Sequence, residues 1–128
     1  MPQLVLGWLL PEGERGALLA LVPPRYPRVM AHHVTLKPGV RQDHPLPEAT
    51  HGRVVGLADD GRGVQALVVE IDGTTRRPDG STWHITWSLG PGRKPVESND
   101  VIRQHRWKPL ESPRDIRLEP AVFGSANR

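Results

Sequence analysis

Cysteine is absent from this 128-residue chain. That excludes disulfides, thiolate catalysis and cysteine-ligated zinc, and it suits a reducing compartment. Aromatic residues are scarce, with one Tyr, one Phe and four Trp. No apolar run reaches the ~18 residues that a membrane-spanning helix needs. No basic segment precedes the apolar Leu4–Leu10 stretch, so it does not read as a secretory signal. The expectation is a soluble, cytoplasmic protein with no membrane partner, acting as a monomer. Lysine is also rare: only Lys37, Lys94 and Lys108 accompany fourteen arginines.

Turn formers, by contrast, abound, with 14 Pro and 13 Gly, so irregular connections should be frequent. The length fits one domain around one core, taken as residues 1–123, with 124–128 as a flexible tail. The net charge of +3 and the pI near 9.9 favour a polyanionic ligand such as RNA. An arginine-rich composition of genomic origin would give the same balance.

Along the chain, Gln3–Leu10 is a nearly continuous apolar run, as expected for a strand buried on both faces. Glu12–Val22 carries Leu18, Leu19, Leu21 and Val22 near helical spacing, and Pro23-Pro24 stops it. A strand is expected over Val29–Lys37, then a loop over Val40–Thr50. Arg53–Leu57 and Val64–Ile71 flank Asp60-Gly61, a hairpin signal. The turn-rich link Asp72–Ser81 carries Arg76 and Arg77 and leads to a strand over Thr82–Leu89. Ser98 is the candidate N-cap of a helix to His105. Trp107–Pro113 reads as a loop and Asp115–Leu118 as a final short strand. The fold class is α+β: a small domain, mainly antiparallel sheet, with two short helices.

Two stretches carry chemistry. Ala31–Lys37 contains His33-Val34-Thr35, and Thr82–Ser88 contains His84-Ile85-Thr86. Strand side chains alternate faces with a period of two. His33, Thr35 and Lys37 should therefore share one face, and His84, Thr86 and Ser88 another. Val34 and Leu36, and Trp83, Ile85 and Trp87, would anchor the opposite faces, and His32 would lie with the first apolar set. Two imidazoles can supply a base and an acid near neutrality, and threonine hydroxyls can hydrogen-bond phosphate oxygens. No metal is needed for this, and no pair of histidines shows the i, i+4 spacing of a helical metal site. Lys37, Ser88, Arg93 and Lys94 are secondary candidates for neutralising phosphate charge. Tyr26 and Trp107 are the aromatics placed in loops, where they could stack a nucleobase.

The doubled His-x-Thr, in HHVTL at 32–36 and WHITW at 83–87, resembles the signature of the two-histidine phosphoesterase superfamily. That group includes RNA 2′,3′-cyclic phosphodiesterases and the cyclic phosphodiesterase domains of tRNA ligases. The resemblance implies a pseudo-twofold fold with the two motif strands side by side in a cleft. It implies His33 and His84 as the catalytic pair and Thr35 and Thr86 as the phosphate-binding residues, with RNA or a nucleotide as substrate and no cofactor. Members are commonly longer, so one lobe here would be trimmed. A non-catalytic RNA-binding module using the basic loops at Arg76-Arg77 and Arg93-Lys94 is the alternative, and a small β-rich interaction protein the third.

Overall fold

A computed structural model describes residues 3–125. Its elements run β1 (Gln3–Leu9), α1 (Glu12–Leu21), β2 (Arg28–Val29), β3 (His33–Pro38), β4 (His51–Asp59), β5 (Val64–Glu70), β6 (His84–Leu89), α2 (Glu97–His105), β7 (Lys108–Arg117) and β8 (Glu119–Ser125). They form a three-stranded sheet, β3-β1-β8, and a five-stranded sheet, β2-β6-β5-β4-β7. Every pairing is antiparallel. The α+β class with two helices is thus the one expected. No helix among the described residues is long and apolar enough to cross a membrane.

One core lies between the sheets. Trp8, Leu10 and Val34 from the small sheet meet Val54, Leu67, Val69, Ile85, Trp87 and Ile116 from the large one, with Leu18 of α1 among them. The Trp87 indole N–H donates to the Val22 carbonyl at the end of α1, so a buried polar atom is satisfied where the helix docks. A second cluster covers the other face of the large sheet. There Ala58, Val64, Ala66, Val68 and Leu89 pack under Val101 and Ile102 of α2. Strand β5 is therefore buried on both faces, which explains its nearly continuous apolar sequence; the buried Gln65 within it accepts from the Ser88 hydroxyl and the Arg25 N–H.

The segment expected as one strand over Val29–Lys37 is broken in two. Arg28 and Val29 pair with β6, and the N–H groups of Met30 and Ala31 continue that pairing to the carbonyls of Trp87 and Thr86. At Ala31 the backbone turns into the left-handed region, with φ 48°. From His33 onward the chain pairs with β1 instead. Arg15 of α1 holds the break by donating from Nε to the Ala31 carbonyl at 3.0 Å. The kink also moves His32 away from the apolar face expected for it: its ring is exposed, and Nδ1 lies 3.0 Å from Nδ1 of His33.

The C-terminal part differs most from expectation. Trp107–Pro113 is not a loop: β7 runs from Lys108 to Arg117 at the edge of the large sheet. Pro109 and Pro113 fit there because an edge strand need not donate on its outer side. Between Pro109 and Arg114 its pairing with β4 is interrupted. The strand expected over Asp115–Leu118 is the end of β7. A further strand, β8, pairs along the whole of β1. Gly124 and Ser125, expected in the tail, belong to β8; residues 126–128 lie outside the described residues. Ser98 is not an N-cap, since α2 begins at Glu97 and Ser98 is buried within its first turn.

Gly7 lies opposite Thr35 in the β1–β3 ladder. A Cβ at Gly7 would come 2.1 Å from the Val34 carbonyl oxygen. Gly16, in α1, has open space around it. Gly7→Ala should therefore destabilise the fold by roughly 1–3 kcal/mol, the usual cost of overpacking. Gly16→Ala should stabilise it by up to about 1 kcal/mol, the difference in helix propensity. Urea unfolding of both variants tests this; a neutral Gly7→Ala would contradict the close approach.

Candidate functional site

The two motif strands belong to different sheets, and the break at Ala31 places them at adjoining edges. His84 and Thr86 pair with Val68 and Ala66, so they stand on the α2 face of the large sheet. His33 and Thr35 stand on the face of β3 opposite Val34, which is in the core. All four line one small pocket with Pro38, Arg77, Pro95, Val96 and Asn99. The cavity is about 50 Å³, room for a compact anion such as a phosphoryl group and no more.

Each motif strand carries an extra residue immediately after its threonine. Opposite β1, Thr35 pairs with Gly7 and Lys37 with Leu6, leaving Leu36 unmatched. Opposite β5, Thr86 pairs with Ala66 and Ser88 with Gln65, leaving Trp87 unmatched. An unmatched residue reverses the alternation of faces beyond it. This corrects the expectation that Lys37 and Ser88 share the polar faces. Lys37 is exposed and does not line the pocket. Ser88 is fully buried on the other side of the sheet; it donates to Gln65 Oε1 and accepts from the Tyr26 N–H.

The His84 ring is partly buried, and its Nδ1 lies 2.8 Å from the Thr82 carbonyl. A carbonyl only accepts, so Nδ1 carries the proton and neutral His84 presents an unprotonated Nε2. Burial pushes the His84 pKa down, and the Arg77 charge pushes the same way, against the Thr82 carbonyl and Asp79. His33 meets His32 Nδ1 to Nδ1, and its ring lies against Phe123 at a centroid distance of 4.8 Å. The Thr86 hydroxyl is held by Ser98 Oγ at 2.8 Å and the Pro95 carbonyl at 3.2 Å. The first turn of α2 is thereby tied to β6 at the pocket wall.

Arg77 is the residue the sequence did not assign to the pocket. The thirteen-residue connection between β5 and β6 folds back through a tight turn over Arg77–Ser81, closed by Arg77 N–H to Ser81 O and Gly80 N–H to Arg77 O. The guanidinium is nearly buried, at 8% exposure. It grips Asp79 with two hydrogen bonds, at 3.1 and 2.7 Å, and donates from Nη1 to the Thr35 carbonyl at 3.2 Å. Beside it the Asp79 carboxyl is held well below the usual carboxylate range. Three of the five guanidinium N–H groups are so used, which leaves two for a ligand in the pocket. The spacing Arg-x-Asp in a Pro-Asp-Gly turn was the available signal. Asn99 had none, and Ser98 was expected only as the N-cap of a helix that in fact begins at Glu97.

The other secondary candidates lie elsewhere. Arg93 pairs with Asp60 at 2.9 Å and Glu97 at 3.0 Å, so its charge serves the turn beneath α2. Lys94 is exposed and outside the pocket lining. Tyr26 donates its hydroxyl to Asp59. Trp107 lies beyond the far end of α2 from the pocket, beside a second, larger cavity.

No protein-family model matches the chain, and neither does any curated protein or solved structure.

Two outcomes follow from this electrostatics. Free histidine titrates near 6.5, and the folded pKa of His84 lies below that. As pH falls through 6.5 the unfolded chain takes up a proton that the fold refuses. His84 thus contributes stability above that pH, and the contribution is lost as pH drops toward its folded pKa. Imidazole nitrogen NMR should show His84 as the Nδ1–H tautomer, half-protonated only below pH 6.5; half-protonation above that would contradict the site. Arg93→Ala should cost about 1–3 kcal/mol of stability, because Asp60, nearly buried, loses its partner. Unchanged thermal stability of Arg93→Ala would show that the pair is not structural.

Proposed function

We propose that this protein is a metal-independent phosphoesterase that opens 2′,3′-cyclic phosphates on RNA ends or small nucleotides. The observation that carries the reading is the convergence of both His-x-Thr motifs, from two separate sheets, on one pocket that also holds a nearly buried arginine. It agrees with the resemblance of the motifs to the two-histidine phosphoesterases.

In this reading the phosphoryl group occupies the small pocket, and the two remaining Arg77 N–H groups and the Thr35 hydroxyl bind its non-bridging oxygens; the Thr86 hydroxyl joins them by turning its proton away from the Pro95 carbonyl while still accepting from Ser98. Fixed donors around developing charge act without reorganising. His84, neutral and with Nε2 unprotonated, takes a proton from water as that water attacks phosphorus. The new P–O bond forms as the bond to one ribose oxygen breaks, and His33 protonates that leaving oxygen. His32, hydrogen-bonded to His33 through Nδ1, orients its ring. The product is a phosphomonoester beside a free hydroxyl, and the two histidines return to their starting states by exchange with solvent.

The RNA-binding module is the weaker reading. It relied on Arg76-Arg77 and Arg93-Lys94 as exposed basic loops. Arg77 is instead turned inward onto Asp79 and Thr35, and Arg93 onto Asp60 and Glu97. Half of that positive surface is already engaged.

Hydrolysis of a nucleoside 2′,3′-cyclic phosphate in excess chelator should proceed. His33→Ala and His84→Ala should each lower kcat by about 10²–10⁴-fold, the usual weight of a general acid or base. Thr35→Val should cost less, since the hydroxyl is one donor among several. Wild-type turnover by either histidine variant would remove the catalytic pair; RNA binding with no hydrolysis would favour the module.

A further inference from the structure

A second cavity adjoins the phosphate pocket. It has a volume of about 520 Å³, against about 50 Å³ for the first. Its walls are the Asp79–Thr82 turn on one side and Ile102, Arg103, Arg106 and Trp107 on the other, and Asn99 belongs to both cavities. A few hundred cubic ångströms is the usual size of a small-ligand site. The first pocket by itself is too small for more than the reacting group, so the rest of any substrate must lie outside it.

Three features indicate what the larger cavity takes. Asn99 Oδ1 is buried and has no hydrogen-bond partner among the described residues, so an acceptor stands ready at the boundary between the cavities. A ribose hydroxyl or an exocyclic amine supplies the missing donor. Trp107 is the one tryptophan left partly exposed: Trp8, Trp83 and Trp87 are buried, while Trp107 packs against the cluster under α2 and also lines the cavity. Its indole rests on Gly56, where a Cβ would come within 2.1 Å of the ring, so the ring is fixed in place as a platform. The rim carries one cation without a counter-ion among the described residues, Arg106. Arg103 pairs with Asp100, and Asp79 is engaged by Arg77 and Ser81. Arg106 is held at φ 60° just past the end of α2.

We infer that this cavity is the nucleoside subsite of the same active site, for the terminal nucleotide of an RNA 3′ end. The nucleobase lies against Trp107, Asn99 Oδ1 accepts from the nucleoside, and Arg103 and Arg106 meet the phosphate on its 5′ oxygen. Aromatic stacking accepts any base, and arginine recognises phosphate charge. This assignment rests on the phosphoesterase reading of the His33–His84 pocket. It goes further by specifying a substrate that carries a 5′ phosphate.

The test compares three substrates: a nucleoside 2′,3′-cyclic phosphate with a free 5′ hydroxyl, the same with a 5′ phosphate, and a dinucleotide ending in the cyclic phosphate. The two that carry 5′ phosphate should have kcat/KM higher by roughly tenfold, chiefly through KM, the scale of one charge-assisted contact. In the double variant R103A/R106G the ratio should fall to about one. Glycine at 106 suits the positive φ, and both side chains are exposed, so the fold should persist; circular dichroism checks it. Equal efficiency of all three substrates in the wild type would overturn the subsite while leaving the catalytic pair standing. A preference retained in R103A/R106G would overturn it too. If the wild type hydrolyses none of them, the phosphoesterase reading has failed. The subsite is then judged by calorimetric titration with adenosine 3′,5′-bisphosphate: binding that R103A/R106G abolishes supports it, and no binding overturns it.

Discussion

The handover of one chain segment from one sheet to the other is the constraint on which the site depends. Met30 and Ala31 donate their N–H groups to β6, and two residues later the same chain is paired with β1. This switch requires a left-handed residue, and Ala31 supplies it at some conformational cost, since L-residues disfavour that region by about 1–2 kcal/mol. Arg15 and the buried surroundings of Ala31 hold it there. Because the crossing comes just before His33, the first motif starts beside the second. A straight strand over 29–37 would have kept His33 in the register of β6 and carried the small sheet elsewhere.

The two threonines end the polar face in both strands. The unmatched Leu36 and Trp87 follow them at equivalent positions, and each returns an apolar side chain toward the core after two pocket-facing residues. Sequence periodicity revealed the faces as far as the threonines, because alternation holds there. It failed at Lys37 and Ser88, because a bulge leaves no mark in composition when the extra residue is itself apolar. The helices, the hairpin at Asp60-Gly61 and the doubly buried β5 were legible for the ordinary reason that local pattern and tertiary environment agree. Strands β7 and β8 were hidden by Pro109, Pro113 and Pro120, which read as loop signals and are tolerated where the ladder is open or interrupted.

Arg77 illustrates what pattern reading misses. From sequence it is one of two adjacent arginines in a turn and looks like solvated charge. In the fold, Asp79 takes two of its N–H groups and the Thr35 carbonyl a third. The contact with Thr35 joins the β5–β6 turn to the strand that bears the other histidine. Such a guanidinium is already oriented, so little side-chain freedom would be lost on binding the anion proposed for this pocket. Neither the direction of the turn nor the distance between sheets is encoded in neighbouring residues.

The halves of the pocket have unequal backing. Behind His84 stand a five-stranded sheet, a strand covered on both sides and a helix pinned through Ser98. Behind His33 stand three strands and the flank of Phe123. One imidazole is therefore set in a thick wall and the other in a thinner one. In the proposed reaction the base would take a proton from a small mobile water and gain from a fixed position, and the acid would follow a departing oxygen on a bulky sugar and gain from lighter support. The uneven thickness of the two lobes would then separate aiming from accommodation between His84 and His33.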